Sequence, residues 1–306
     1  MAKKVLIALG GNALLRSKEK GTADEQLAHV DETCKHLIEI ILEGCSIAIT
    51  HGNGPQVGDI LLKDEMCKDK FPAMPLDICG AESQGLIGYM IQRSLDNRLK
   101  MAGMSKPVVT ILTQTLVDKN DPAFKDPSKP IGPFYDQKQP QWSMVEEAGK
   151  GFRRVVPSPE PVDIVEGAAI LELIKKGAVV VACGGGGIPV IKIDGGMLQG
   201  VEAVIDKDHT AAVLAKVIGA DTLMILTDVE KVFLNFGRPD QKTLDKLTAA
   251  EAKKLISDGQ FPRGNMKPKV ESCVRYVEGG GKRAIITSLE KAKLALDGKA
   301  GTQIVR

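Results

Sequence analysis

Lysines beside prolines, or at helix starts next to carboxylates, are the side chains in this sequence best suited to chemistry on an anion. The stretch VIDKDHTAAVLA places Lys207 and Asp208 where a helix begins. Asp206 stands there as the N-cap, and acidic groups at that end suit the helix dipole. In RGNMKPKVESC, Lys267 and Lys269 flank a proline at another helix start, and in DPSKPIGPFY Lys129 sits between prolines. Charge of this kind suits phosphoryl transfer, which needs positioning and positive charge over the transferred oxygens more than covalent help. Spacing alone does not separate these residues from solvated lysines and simple helix caps.

Three glycine-rich turns add a second signal. ALGGNAL carries Gly10, Gly11 and Asn12, THGNGPQVG carries Gly52, Asn53 and Gly54, and ACGGGGIPV carries Gly184, Gly185, Gly186 and Gly187. Each follows an apolar, strand-like run. Glycine loses more backbone freedom on folding than any other residue, so four in succession answer a need for close approach. At the carboxyl ends of parallel strands, bare backbone lets N–H groups reach phosphoryl oxygens, helped by helix N-termini. Three such loops predict one shared crevice, although each alone is also explained as a tight turn. On the phosphate reading, Gly185→Val injures nucleotide binding more than folding. His51, directly before the second loop, is a candidate for orienting it.

Other chemistries fit less well. GGGKRA near Lys282 is not a Walker A sequence, and GNGPQVG has Val57 where a dinucleotide fingerprint needs its third glycine, which leaves a nicotinamide dehydrogenase the weaker reading. The four histidines (His29, His36, His51, His209) form no HExxH pattern. GAESQG resembles a nucleophile elbow only loosely, with Gln84 intruding.

The elements that must position these residues alternate between strand and helix. KVLIAL, SIAIT, PVVTIL, AVVVAC, TLMILT, RAIIT and TQIV read as strands. Between them, Leu27, Val30, Cys34, Leu37, Ile38, Ile41 and Leu42 share one helical face ended by Gly44. Further helices are expected from about Gln56, over Ser83 to Met101, Asp163 to Lys176, His209 to Ile218, Ala249 to Ser257 and Lys267 to Val277. The pattern predicts an α/β fold on a mainly parallel sheet. Residues 117–161, rich in proline, aromatic and charged side chains, break the rhythm and predict a small ordered excursion, such as a lid.

The chain has 306 residues, 43% of them hydrophobic, enough for a large core. Its 41 basic and 39 acidic side chains leave a net charge of +2, which gives no footprint for nucleic acid or an anionic membrane. The six cysteines form no CxxC pair and read as reduced thiols in or near the core, as in a reducing compartment. The N-terminal MAKKVLIALGGNALL has two lysines before an apolar run, but Gly10, Gly11 and Asn12 interrupt it and no A-x-A site follows. A soluble cytoplasmic protein is expected.

Taken together, ALGGNAL, THGNGPQVG, GAESQGLIGY, DPAFKDPSKPIGPFY, RRVVPSPEP, VVACGGGGIPV, VIDKDHTAAVLA, LTDVEKVFLNFG and GNMKPKV resemble the carbamate kinases of the amino-acid kinase superfamily, in the family's order and over essentially the whole chain. The resemblance implies one domain over residues 1–306: a three-layer αβα sandwich with an open eight-stranded sheet. It implies an acceptor-binding N-terminal half, a nucleotide-binding C-terminal half and a protruding subdomain at 117–161. It implies phosphoryl transfer between ATP and carbamate, Mg²⁺ with the nucleotide, a homodimer and a place in arginine metabolism. By the same resemblance Gly10, Gly11 and Asn12 form the first phosphoryl-contacting loop, and Gly52, Asn53 and Gly54 the acceptor loop. Lys207 and Lys269 neutralise the transferring group, Asp208 holds the catalytic cations, and Lys129 reaches in from the subdomain. The nucleotide pocket takes Leu226–Val229 (Thr227 and Asp228 among them), Asn235, Phe236 and Met266, with Gly184–Gly187 near the phosphates. Many superfamily members carry lysine where this chain has Ala8, and Lys207 is expected to supply that charge. A sister kinase for another small carboxylate or phosphate, the same chemistry run toward carbamoyl phosphate, and an inactive nucleotide-binding regulator remain as alternatives.

Overall fold

The computed structural model describes residues 2–11, 14–15, 19–261 and 266–306. Strand β1 (Lys4–Leu9) leads through helix α1 (Ala23–Leu42) to β2 (Ser46–His51), α2 (Gly54–Cys67) and the long α3 (Leu76–Met101). The strands β3 (Val108–Thr110), β4 (Gln114–Val117), β5 (Lys129–Tyr135), β6 (Met144–Glu147), β7 (Gly151–Val156) and β8 (Pro161–Ile164) follow, then α4 (Gly167–Lys175) and β9 (Val179–Val181). Next come β10 (Ile188–Lys192), β11 (Leu198–Gly200), α5 (Lys207–Val217) and β12 (Thr222–Thr227). The chain continues through β13 (Val232–Leu234), β14 (Lys242–Leu244), β15 (Lys246–Thr248), α6 (Ala249–Ser257), α7 (Met266–Glu278), β16 (Arg283–Ser288), α8 (Ala292–Leu296) and β17 (Thr302–Val305).

Eight strands form the main sheet in the order β15-β17-β16-β12-β1-β2-β9-β3. All are parallel along the run from β16 to β3, while β17 pairs antiparallel with β16 and parallel with β15. Alternation along the strands builds the two cores. Val5, Ile7 and Leu9 face α1, α3 and α8, whereas Leu6 and Ala8 face the layer of α4 to α7. Small residues on that second face (Ala8 and Ala48 from strands, Ala182 just past β9, and Ala211, Ala212 and Ala215 from α5) leave room for α5 against the centre of the sheet. Its N-terminus is thereby fixed over the strand ends.

On α1 the predicted face holds except at its end: Leu42, the last helical residue, is exposed and Ile40 is buried in its place, and Gly44 then turns the chain with φ 80°. Five of the six cysteines are buried, Cys67 is exposed, and all are free. The residues before α4 form strand β8, paired antiparallel with β4, so that helix begins at Gly167 rather than Asp163. The excursion contains an antiparallel sheet in the order β5-β7-β6. It rests on α2 through Val57, Ile131 and Val156, with Val204 packed alongside.

Candidate active site

Register brings the glycine loops together. Leu9, the last residue of β1, pairs with His51, the last of β2, and Ile49 pairs with Val181 of β9. Gly10, Gly52 and the run from Gly184 therefore leave three adjacent parallel strands at nearly one level. Thr50 Oγ1 donates to the Cys183 carbonyl at 2.8 Å, tying two of the turns. The ring of His51 is buried, and Nδ1 lies 2.9 Å from the Gly52 carbonyl. Burial pulls its pKa down to about 4, so the imidazole is neutral and donates to that carbonyl. The expected loop-orienting contact is present.

The glycine run is itself largely architecture. Gly185, Gly186 and Gly187 all have positive φ (67°, 96° and 86°). A Cβ would collide with the His51 ring at Gly184, the Asn53 amide at Gly185, the Ile205 carbonyl at Gly186 and the Thr115 hydroxyl at Gly187. The amides of Gly186 and Gly187 are spent inside the turn, on the carbonyls of Cys183 and Gly184. What comes close to this backbone is the protein. Of the four residues only Gly185 lines the cleft described next.

That cleft, of about 290 Å³, is walled by the glycine loops on one side and by Lys129 and Arg153 of the β5-β7-β6 sheet on the other. Helices α2, α5 and α7 all begin at its rim, through Gly54, Lys207 and Pro268. Three helix N-termini aimed at one space favour an anion. Asp208, 3% exposed, accepts from Lys207 Nζ at 2.6 Å and from Lys269 Nζ at 2.9 Å. Burial pushes its carboxyl up, but the two ammonium groups outweigh it and hold the pKa well below the usual carboxylate range. Asp206 caps α5 by accepting from the amides of Asp208 (2.9 Å) and His209 (3.4 Å), and its other oxygen meets Lys129 Nζ at 3.2 Å. Three lysines are thus held by two carboxylates, each lysine in a fixed place.

A second, apolar pocket of about 290 Å³ is lined by Thr227, Asp228, Val229, Phe233, Phe236, Phe261 and Met266. It lies past the end of β12, whose Ala8–Ile225 register puts Thr227 level with Gly10. Phe236 is 59% exposed and stands at 46° to Phe233, with ring centroids 5.8 Å apart.

The amino acid kinase family model matches residues 3–288. The chain belongs to the amino acid kinase family. Among its full-length relatives is a carbamate kinase from Thermococcus kodakarensis, 52% identical over 314 residues and covering 99% of both chains. Another, from Pyrococcus furiosus, is 49% identical over 314 residues, covering both chains completely. The solved structure of carbamate kinase from Giardia lamblia bound to AMP-PNP is 42% identical and superposes with a TM-score of 0.94, covering 99% of this chain and 98% of that one. These matches place the chain with the carbamate kinases, as a phosphotransferase of the amino acid kinase fold.

Within this kinase, Gly11, Gly52, Asn53, Gly54, Lys129, Lys207, Asp208 and Lys269 are gathered on one cleft, and Gly10, the first residue after β1, directly precedes Gly11. Asn12 lies outside the described residues. Thr227, Asp228, Phe236 and Met266 share the apolar pocket. Asn235 does not line it: this residue takes φ 52°, donates Nδ2 to Asp240 at 2.7 Å and turns the chain. In place of the superfamily lysine, Ala8 is fully buried under α5, and the Lys207 stem runs across the bare face of Gly52. Ser83 is mid-helix in α3, donating to Gly80 O and accepting from Asn53 Nδ2, which is no nucleophile elbow. Two residues escaped sequence reasoning. Gln84 donates to the carbonyls of Thr113 and Gly184 and accepts from the Thr113 amide, so the supposed intruder is the clamp on the glycine turn. Arg153 lines the cleft, and nothing in its spacing distinguished it from Arg154.

Proposed function

We propose that this chain catalyses reversible phosphoryl transfer between ATP and carbamate, using Lys129, Lys207 and Lys269 as the charge around the transferred group. The observation that carries this is the Lys207–Asp208–Lys269 cluster, set at a helix N-terminus opposite glycine loops from adjacent parallel strands. A carbamate oxygen attacks the γ-phosphorus of ATP, the bond to the bridging oxygen breaks, and ADP leaves with the electron pair. Run backward, a terminal ADP oxygen attacks carbamoyl phosphate and carbamate leaves, to decompose to ammonia and CO₂. Carbamate is already an anion, so no proton need be removed. Preorganised cations then lower the barrier by meeting charge on the equatorial oxygens.

The cleft carboxylates do not form a metal cage of their own. Both Asp208 oxygens are held by lysines, and no cluster of three or more metal-binding side chains occurs among the described residues. That donor set fits Mg²⁺ carried in on nucleotide phosphate oxygens and water, where the ion would neutralise charge on the phosphates. The adenine is assigned to the pocket of Thr227, Asp228, Phe236 and Met266, with the chain forming one domain and residues 117–161 its inserted subdomain. Phe236→Ala is expected to raise the KM for ADP about ten-fold, the loss of one base–aromatic stack, with kcat little changed. An unaltered KM would remove Phe236 from the base site.

A cytoplasmic homodimer in arginine metabolism completes the reading. The free thiols fit a reducing compartment. Ile78, Leu86 and Tyr89 form an exposed stripe along α3, with Leu112 exposed as well, and a second copy is the proposed partner. Leu86→Glu is expected to shift the protein to monomer in sedimentation, and a variant that sediments as wild type would move the interface elsewhere. The activity itself is tested by ATP formation from carbamoyl phosphate and ADP with Mg²⁺. A protein that binds ADP yet forms no ATP would be a sister kinase or a regulatory nucleotide binder.

A further inference from the structure

Each lysine on the cleft wall has a carboxylate partner within hydrogen-bond reach: Lys207 and Lys269 share Asp208, and Lys129 meets Asp206. The fourth cation differs. The nearest carboxylate oxygen to Arg153 is Glu147 Oε1, 3.7 Å from Nη1 and beyond a hydrogen bond. Arg153 is therefore the least neutralised positive charge on this wall among the described residues, and it is the one left with capacity to meet an anion in the cleft.

The backbone holds it for that purpose. The pairing of β5 with β7 runs in register from Lys129 to Ile131, slips, and resumes at Phe134 opposite Arg153. Gly132 sits in this bulge with φ 68°, and its carbonyl accepts from Arg153 Nε at 3.0 Å. The Phe134 ring lies 5.2 Å from the guanidinium carbon. A bulge that re-aims a side chain is common at functional sites. One edge of the guanidinium is thus pinned and its face is covered, which leaves the Nη groups to be presented in a fixed plane. Its neighbour Arg154 is committed elsewhere, donating Nη2 to Glu202 at 2.6 Å.

We propose that Arg153 is the acceptor-recognising residue, its planar fork binding the carboxylate of carbamate and, in carbamoyl phosphate, the acyl oxygen that remains when the other oxygen bridges to phosphorus. This assignment rests on the carbamate reading above. It divides the cleft's cations by task, the lysines serving the phosphoryl group and the arginine the small planar carboxylate. A guanidinium matches a carboxylate with two parallel hydrogen bonds, which an ammonium cannot do.

The test compares wild type, Arg153→Ala and Arg153→Lys in ATP formation from carbamoyl phosphate and ADP, with melting temperatures measured alongside. For Arg153→Ala the KM for carbamoyl phosphate is expected to rise about 10- to 100-fold, as for loss of a charge-assisted hydrogen bond, while the KM for ADP changes less than about two-fold. Added guanidinium ion is expected to restore part of the lost activity to this variant, a response that a packing role would not give. Arg153→Lys, which keeps the charge and the stem, is expected to retain a rise of about ten-fold. An unchanged KM for carbamoyl phosphate in either variant, or an equal rise for ADP, would overturn the assignment. A wild-type protein that makes no ATP from this pair would overturn the carbamate reading, and the Arg153 assignment with it.

Discussion

Lys269→Ala lowers kcat for ATP formation by about 10²–10³, comparable with removing one preorganised donor from a transition-state site. The expectation follows from how little freedom this lysine has. It is 8% exposed, its ammonium donates to Asp208 Oδ2, and it lies in the first turn of α7 with the helix N-terminus at the cleft rim. Such a charge costs no reorganisation when the phosphoryl group becomes loose and planar. The KM for ADP should move far less, because the apolar pocket at Thr227 and Phe236 does not include Lys269. Stability is a second readout. Breaking a buried ion pair by removing one partner costs about 3–5 kcal/mol, but Asp208 keeps Lys207 at 2.6 Å, so the loss should fall below that range. A variant that melts near wild type yet turns over slowly separates the catalytic role from the structural one. One that turns over normally removes Lys269 from the chemistry.

The same cluster explains why residue type was legible where geometry was not. The sequence marks Lys129, Lys207, Asp208 and Lys269 through proline contexts and helix starts, but each mark is local. Only the order β12-β1-β2-β9 and the packing of α5 on Ala8 and Ala48 bring them to one space. Long apolar runs were read well: KVLIAL, TLMILT and TQIV are β1, β12 and β17, and Ala249–Ser257 is α6. Elements held by distant partners were not. Helix α3 begins at Leu76 instead of Ser83 because its first amide is accepted by Glu202, a cap far along the chain. The four-stranded sheet β11-β10-β4-β8 was missed because its strands are short and pair β4 with β10 across more than sixty residues. Gln84 and Arg153 were hidden for the same reason, since a clamp and a re-aimed arginine exist only once Gly184 and Gly132 arrive beside them.

Gly185→Ala should damage both folding and acceptor turnover while sparing ADP binding. At φ 67° an L-residue costs about 1–2 kcal/mol more than glycine, and the added Cβ would occupy the position of the Asn53 side-chain amide. Asn53 cannot simply step aside: it donates to Ser83 Oγ at 2.8 Å, and Ser83 donates to the Gly80 carbonyl at 2.7 Å inside α3. Relief must come either by breaking that chain or by lifting the glycine turn from His51. Overpacking of this kind adds about 1–3 kcal/mol, so the melting temperature should fall by about 3–8 °C. Asn53 and Gly185 both line the cleft, and displacing either should lower kcat/KM for carbamoyl phosphate at least about ten-fold. The apolar pocket contains neither residue, so the KM for ADP should stay within about two-fold of wild type. This differs from what the glycine run suggests by composition alone, where a nucleotide phosphate is the natural visitor. The neighbours of that run are His51, Asn53, Thr115 and the Ile205 carbonyl, and its missing side chains let the loop at His51–Asn53 close against the turn. A variant with native melting and a large rise in the KM for ADP would show that the glycines serve the nucleotide after all.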